Sequence, residues 1–203
     1  MMLDAAARRL IDPPLNRLGR VIAGHGIAAN TVTMIGLGLG MVAAGLIGFG
    51  YTTLALVALL ASRLADGLDG AVARASQRTD FGGYLDIAAD FLFYGLIPMA
   101  FVMLDPVQNG VAGAVLLTSF YFNGASFLGY AILAEKRGMQ TRAQGLKSLY
   151  FSNGLLEGTE TILFFVALCL LPGWFAPLAW GFGLLCFATG AMRVYAASKV
   201  FRD

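Results

Sequence analysis

Four carboxylates and an arginine fall within one short window of this chain: Asp66, Asp69, Asp86 and Asp90, with Arg74 between the two pairs. Asp66 and Asp69 are three residues apart, and Gly70, Ala73 and Arg74 follow at four, seven and eight from Asp66. On a helix that spacing gathers two acids, a small-residue gap and an arginine on one face. Asp86 and Asp90 are four apart and share a face of the next helix. The segments on either side are strongly apolar, and a carboxylate at membrane depth is costly unless it is paired or bound to a cation. Four oxygen donors without His or Cys suit Mg²⁺ or Mn²⁺ rather than zinc or copper. Gly70 and Ala73 leave room for a bulky group to approach the backbone, and the Arg74 guanidinium can fork onto phosphate oxygens. These residue types support a divalent-metal site that holds a diphosphate at a membrane surface.

The elements that position such a site must themselves be membrane helices. The 203 residues are 58% hydrophobic and 13% charged, with a mean hydropathy of +0.73, whereas about a quarter of a soluble domain is charged. Apolar runs cover about residues 29–50, 53–74, 82–104, 109–134, 152–171 and 175–197, each near the roughly 20 residues that a helical span needs. The fold class expected is an all-α integral membrane protein of six transmembrane helices. Residues 1–28 form an amphipathic juxtamembrane segment and 29–203 the membrane domain. Leu10, Ile11, Leu15, Leu18, Val21 and Ile22 alternate with Arg8, Arg9, Arg17 and Arg20 in the first of these, interrupted by Pro13 and Pro14. That mixture suits a broken amphipathic helix on an anionic leaflet, and a solvated arm is the alternative. Gly36, Gly38, Gly40 and Gly45 permit close helix packing in lipid. Cys169 and Cys186 read as buried small hydrophobes, and His25 receives no role.

Charge placement sets the orientation. Lysines and arginines gather at the N-terminus, around Arg63, Arg74 and Arg78, at Lys136, Arg137, Arg142 and Lys147, and at Arg193, Lys199 and Arg202. The connections near residues 51, 105 and 173 have none. By the positive-inside rule both termini and the acid window face the cytoplasm, and Trp174 and Trp180 anchor the opposite interface. The basic loop at 136–147 reads as a topology determinant in preference to a phosphate site. Arg63, one turn before Asp66, either pairs with the acids or snorkels.

The run Asp66-x-x-Asp69-Gly70-x-x-Ala73-Arg74, followed by Gly82, Asp86 and Asp90 at steps of four, resembles the signature of the CDP-alcohol phosphotransferase (CDP-alcohol phosphatidyltransferase) family. Every fixed position is filled. Seven residues separate Arg74 from Gly82 where the family usually has eight, and the missing residue is placed in the loop at 75–78 because the Thr79-x-Phe81-Gly82 run also looks like the family. The resemblance covers about residues 29–197. It implies transfer of a phosphoalcohol group from a CDP-linked donor to a hydroxyl, with release of CMP and with Mg²⁺ or Mn²⁺ as cofactor, two ions being expected. It makes Asp66, Asp69, Asp86 and Asp90 the metal ligands and Asp90 the general base. It sets Asn30, Thr31, Thr33, Gly70, Arg74 and Thr79 against the CDP group, although Asn30 and Thr31 stand equally well as helix caps. A homodimer and a bacterial inner-membrane location are expected on the same ground.

CDP-diacylglycerol is the donor expected, the alternative being a CDP-amino-alcohol that donates to diacylglycerol. The acceptor rests on Glu157 and Glu160, two acids close together after the basic loop. Family members with phosphorylated acceptors tend to carry basic residues there. The Asn153-Gly154-x-x-Glu157-Gly158 run faintly resembles choline and ethanolamine phosphotransferases, so an amino-alcohol or neutral polyol is favoured. Ion pairing of these acids with Arg142 or Arg193 is the competing reading. A secondary transporter would show repeated halves and midplane sites, which the sequence lacks. An intramembrane aspartyl protease would need its Gly-x-Gly-Asp segment, which is also missing.

Overall fold

The computed structural model describes residues 2–139 and 158–202, and side chains from residue 11 onward. The described chain is helical throughout, with no strand. Helix α1 spans Met2–Gly24, α2 Ala29–Gly48, α3 Thr52–Ala75, α4 Asp80–Leu104, α5 Pro106–Lys136, α6 Gly158–Leu170 and α7 Phe175–Val200. A single 3-10 turn at Pro172–Trp174 leads into α7.

Connections of a few residues between α2 and α5 force successive helices to run in opposite directions. The C-terminal half of α3 and the N-terminal half of α4 therefore lie at the same end, which brings Asp66 and Asp69 to the level of Asp86 and Asp90. The α2 N-terminus and the C-termini of α5 and α7 share that end. Arg74, Lys136, Arg137 and Lys199 stand there too, as the charge distribution anticipates.

Among the described residues, four helical segments are long and apolar enough to cross a membrane: α2, α4, α5 and Pro172–Val200. Helix α3 has 24 residues, roughly 36 Å at 1.5 Å per residue, but Arg63, Asp66, Asp69 and Arg74 interrupt its apolar length. Of the run expected at 152–171, residues 158–170 form α6, 13 residues long.

Pro13 and Pro14 predict a break in the first helix, yet α1 is continuous through both. Neither proline can donate a main-chain hydrogen bond, so packing has to hold the helix together. Leu15 of α1 joins Val32, Leu68, Ala71 and Val72 in a small buried cluster. A Cβ on Gly19 would come within 2.8 Å of Ala71, so α1 crosses α3 at near backbone contact.

The larger core lies away from the acids. Ile47, Leu59, Phe93, Ile97, Phe101, Leu116, Phe165 and Phe175 are fully buried there. Phe101 and Phe175 stack at 5.2 Å, and Phe164 and Phe182 at 4.1 Å. Lipid tails are as apolar as these side chains, so close packing rather than water exclusion supplies the cohesion. Gly40 shows how close: a Cβ there would lie 2.6 Å from Cδ2 of Phe93. Cys169 and Cys186 are free thiols buried in this region, as read from the sequence.

Candidate active site

Phe93 is where the core meets the acids. Its ring carries the Arg63 guanidinium, 3.7 Å above the ring centroid. Arg63 is 8% exposed at its side chain, and its Nη1 donates to Asp90 Oδ1 at 2.8 Å while standing 3.4 Å from Asp66 Oδ1. Its Nη2 donates to Ser62 Oγ at 3.3 Å, and the Ser62 hydroxyl donates to the Gly36 carbonyl of α2 at 2.7 Å. Of the two options open for Arg63, pairing with the acids is the one observed. A buried guanidinium needs such partners, because an unpaired charge in a low-dielectric interior is costly.

Asp66, Asp69 and Asp86 form the tightest group. Each offers one carboxylate oxygen, and the three oxygens lie within 4.8 Å of one another. An octahedral Mg²⁺ with bonds of about 2.1 Å sets trans ligands about 4.2 Å apart, so small side-chain rotations close this set around an ion. An all-carboxylate donor set from two helices fits a hard cation and disfavours a soft one. Asp90, the fourth acid named from the sequence, stands outside this trio and is engaged by Arg63.

Asp69 is oriented from the neighbouring helix. Thr33 on α2 donates to Asp69 Oδ2 at 2.6 Å. Neither Asn30 nor Thr31 caps α2, whose N-cap is Ala28 with no side-chain bond. Asn30 shares the Thr33 face, and its Oδ1 would lie 3.0 Å from a Cβ on Gly82. Glycine at position 82 is what lets α2 and α4 approach there. Thr31 is exposed and is not brought into the group. Thr79 caps α4 by accepting from the Gly82 amide at 3.0 Å, an ordinary N-cap contribution.

Arg74 lies at the exposed edge of the same face. Its Nε and Nη2 both donate to Asn16 Oδ1 of α1, at 3.2 and 2.9 Å, and its Nη1 would lie 3.3 Å from a Cβ on Gly70. The empty volume above Gly70 thus borders the guanidinium. Glu160 stands half-buried in the first turn of α6, while Glu157, Arg142 and Lys147 lie outside the described residues. A Cβ on Gly158 would be 3.8 Å from the Tyr94 hydroxyl, one turn along α4 from Asp90, so α6 starts beside the acid group. Arg193 donates to the carbonyl and side chain of Asn123 and to Ser126 Oγ at 2.8–3.0 Å, which joins α7 to α5. Arg137 donates to the Phe201 carbonyl at 3.2 Å, a cation at the C-terminal end of α7.

Sequence reasoning missed Asn16, Ser62 and Phe93. Each acts through a partner on another helix or through packing, and no local spacing marks such a role.

The acid-lined face, the small residues beside it and the arginine at its rim correspond to a known class of membrane transferase. A model of the CDP-alcohol phosphatidyltransferase family matches residues 26–192, and the chain belongs to this family. It is an integral membrane transferase of phospholipid biosynthesis. Over 194 residues, 96% of this chain and 94% of the relative, it is 46% identical to the inner membrane protein YnjF of Escherichia coli. It is 29% identical over 161 residues, 79% of each chain, to archaetidylinositol phosphate synthase of Pyrococcus horikoshii. Its fold is similar to that of Mycobacterium tuberculosis phosphatidylinositol phosphate synthase with CDP-DAG bound: the TM-score is 0.68 at 19% identity, covering 91% of this chain and 93% of that one.

Proposed function

We propose that this enzyme transfers a phosphatidyl group from CDP-diacylglycerol to the hydroxyl of a small alcohol and releases CMP, at the cytoplasmic face of a bacterial inner membrane. The observation that carries the reading is the trio of carboxylate oxygens from Asp66, Asp69 and Asp86 within 4.8 Å of one another. Mg²⁺ or Mn²⁺ held there supplies charge neutralisation for the diphosphate and polarisation of the attacked phosphorus. Thr33 fixes the direction of Asp69, and Arg74, steadied by Asn16, forks onto a phosphate oxygen. Asn30, Gly70 and Thr79 border the cytidine side. Asp90 accepts the proton of the incoming hydroxyl. The acceptor oxygen forms a bond to the phosphatidyl phosphorus as the phosphorus–oxygen bond to CMP breaks.

Six membrane crossings complete the architecture, with α3 and α6 added to the four apolar segments, α1 at the interface and 29–203 as the membrane domain. The functional unit is a homodimer. The acceptor is an amino-alcohol or polyol held near the start of α6, where Glu160 follows Gly158 toward Tyr94. The names of the Pyrococcus and Mycobacterium proteins favour a second reading, an inositol phosphate acceptor. One experiment separates these: purified enzyme is incubated with CDP-diacylglycerol and Mg²⁺ or Mn²⁺ against a panel of alcohols, and the lipid products are weighed by mass spectrometry. Efficient use of inositol phosphate or glycerol phosphate with neglect of neutral and amine-bearing alcohols would overturn the first acceptor reading. A product formed only from a CDP-amino-alcohol and diacylglycerol would overturn the donor.

A further inference from the structure

Arg63 Nη1 stands 2.8 Å from Asp90 and 3.4 Å from Asp66, so Asp90 has the shorter contact, and that cation is built into the core. Arg63 lies under the acid group with Phe93 behind it and Ser62 beside it, and its single Nη1 reaches Asp90 and Asp66 together. Its Nε is buried without a hydrogen-bond partner, so the side chain accepts an unsatisfied donor in order to stand where it does. Snorkelling would satisfy that nitrogen in water. The packing holds the guanidinium at the acids instead.

From this geometry we infer that Arg63 is a positioning residue with two effects on the site. It holds Asp90 beside the Asp66 carboxylate and aims it as a base, and it sets cation affinity as a fixed positive charge beside the acids. A unit charge a few ångströms from a divalent cation is repulsive at any dielectric constant the protein offers. Removing it relieves that repulsion and frees Asp90 to become a fourth ligand, and both changes tighten metal binding. Turnover falls at the same time because a base that ligates metal no longer meets the incoming hydroxyl. The inference rests on the metal reading of the aspartates given above.

Arg63→Gln and Arg63→Lys test it in detergent-purified enzyme, with Mn²⁺ binding measured by electron paramagnetic resonance without substrates and kcat and KM measured separately. Arg63→Gln should bind Mn²⁺ at least about threefold more tightly and lose at least about tenfold in kcat, with the donor KM little changed. Arg63→Lys keeps the charge but not the planar fork, so its Mn²⁺ affinity should stay within about twofold while kcat falls. A lost contact that merely loosened the fold would weaken metal binding, so unchanged or weaker binding by Arg63→Gln overturns the inference. Should that variant fail to fold, Arg63→Lys decides, and an unaltered kcat there overturns it. Absence of Mn²⁺ binding by the unsubstituted enzyme would instead remove the metal reading, and this inference with it.

Discussion

Thr33 on α2 donates its hydroxyl to Asp69 Oδ2 on α3 at 2.6 Å, in a buried contact between residues 36 apart in sequence. Thr33 Oγ1 also lies 3.1 Å from the Ala29 carbonyl one turn back, the competing acceptor for its single proton. The bond leaves Asp69 aimed at the Asp66 and Asp86 oxygens.

Thr33→Val keeps the shape and removes the donor. A buried hydrogen bond to a charged group is worth about 1.5–3 kcal/mol, so Mn²⁺ affinity should weaken roughly tenfold or more, while Thr33→Ser should retain most of it. Titration of Mn²⁺ into each purified variant measures the effect. Equal affinity in the valine and parent enzymes would show that Asp69 needs no such guide.

Asp90→Asn removes the proposed base with little change in volume. Turnover should fall by about a hundredfold or more, within the usual range for loss of general base catalysis, while the protein folds and still binds donor. Single-turnover CMP release and binding of a CDP-lipid check the two halves. Full activity in this variant would exclude Asp90 from the chemistry.

Asn16→Ala leaves Arg74 without the oxygen that two of its nitrogens share. Arg74 is exposed, and its two hydrogen bonds share one acceptor oxygen, an interaction worth about 0.5–1.5 kcal/mol. The expected result is a donor KM raised about three- to tenfold with kcat nearly unchanged. Arg74→Lys should cost more, because lysine cannot fork onto phosphate.

Gly40→Ala and Gly45→Ala should change stability in opposite directions. Both lie in α2, where alanine gains roughly 1 kcal/mol of helix propensity over glycine. Gly45 has nothing within 4 Å of an added Cβ, whereas at Gly40 that atom would press on a fully buried Phe93 ring. Overpacking costs about 1–3 kcal/mol, so Gly40→Ala should lower the melting temperature in detergent and Gly45→Ala should raise it.

The acids were legible because their information is local. Spacings of three and four residues put Asp66 with Asp69 and Asp86 with Asp90 before any fold is known, and the charge pattern placed both pairs at one end of the bundle. The contacts that tune them were not legible, since Arg63 and Asp90 are 27 residues apart and Asn16 and Arg74 are 58 apart. Such pairings are decided by helix packing, which no single segment encodes. Pro13 and Pro14 misled in the opposite direction: their local preference breaks a helix, but contacts of Leu15 and Gly19 with α3 accompany an unbroken α1. Thr79, expected against the CDP group, also caps α4, a local role for its hydroxyl that the resemblance did not point to.

The central claim is that aspartates on α3 and α4 hold a divalent cation that activates a CDP-linked lipid. Its most direct measurement is CMP release from CDP-diacylglycerol by purified enzyme supplied with the acceptor panel, after EDTA treatment and again after Mg²⁺ or Mn²⁺ is restored, with Asp69→Asn alongside. The expected result is no release in EDTA, full recovery with added metal in the parent enzyme, and no recovery in Asp69→Asn. Metal-independent release, or recovery in Asp69→Asn equal to that of the parent, would contradict it.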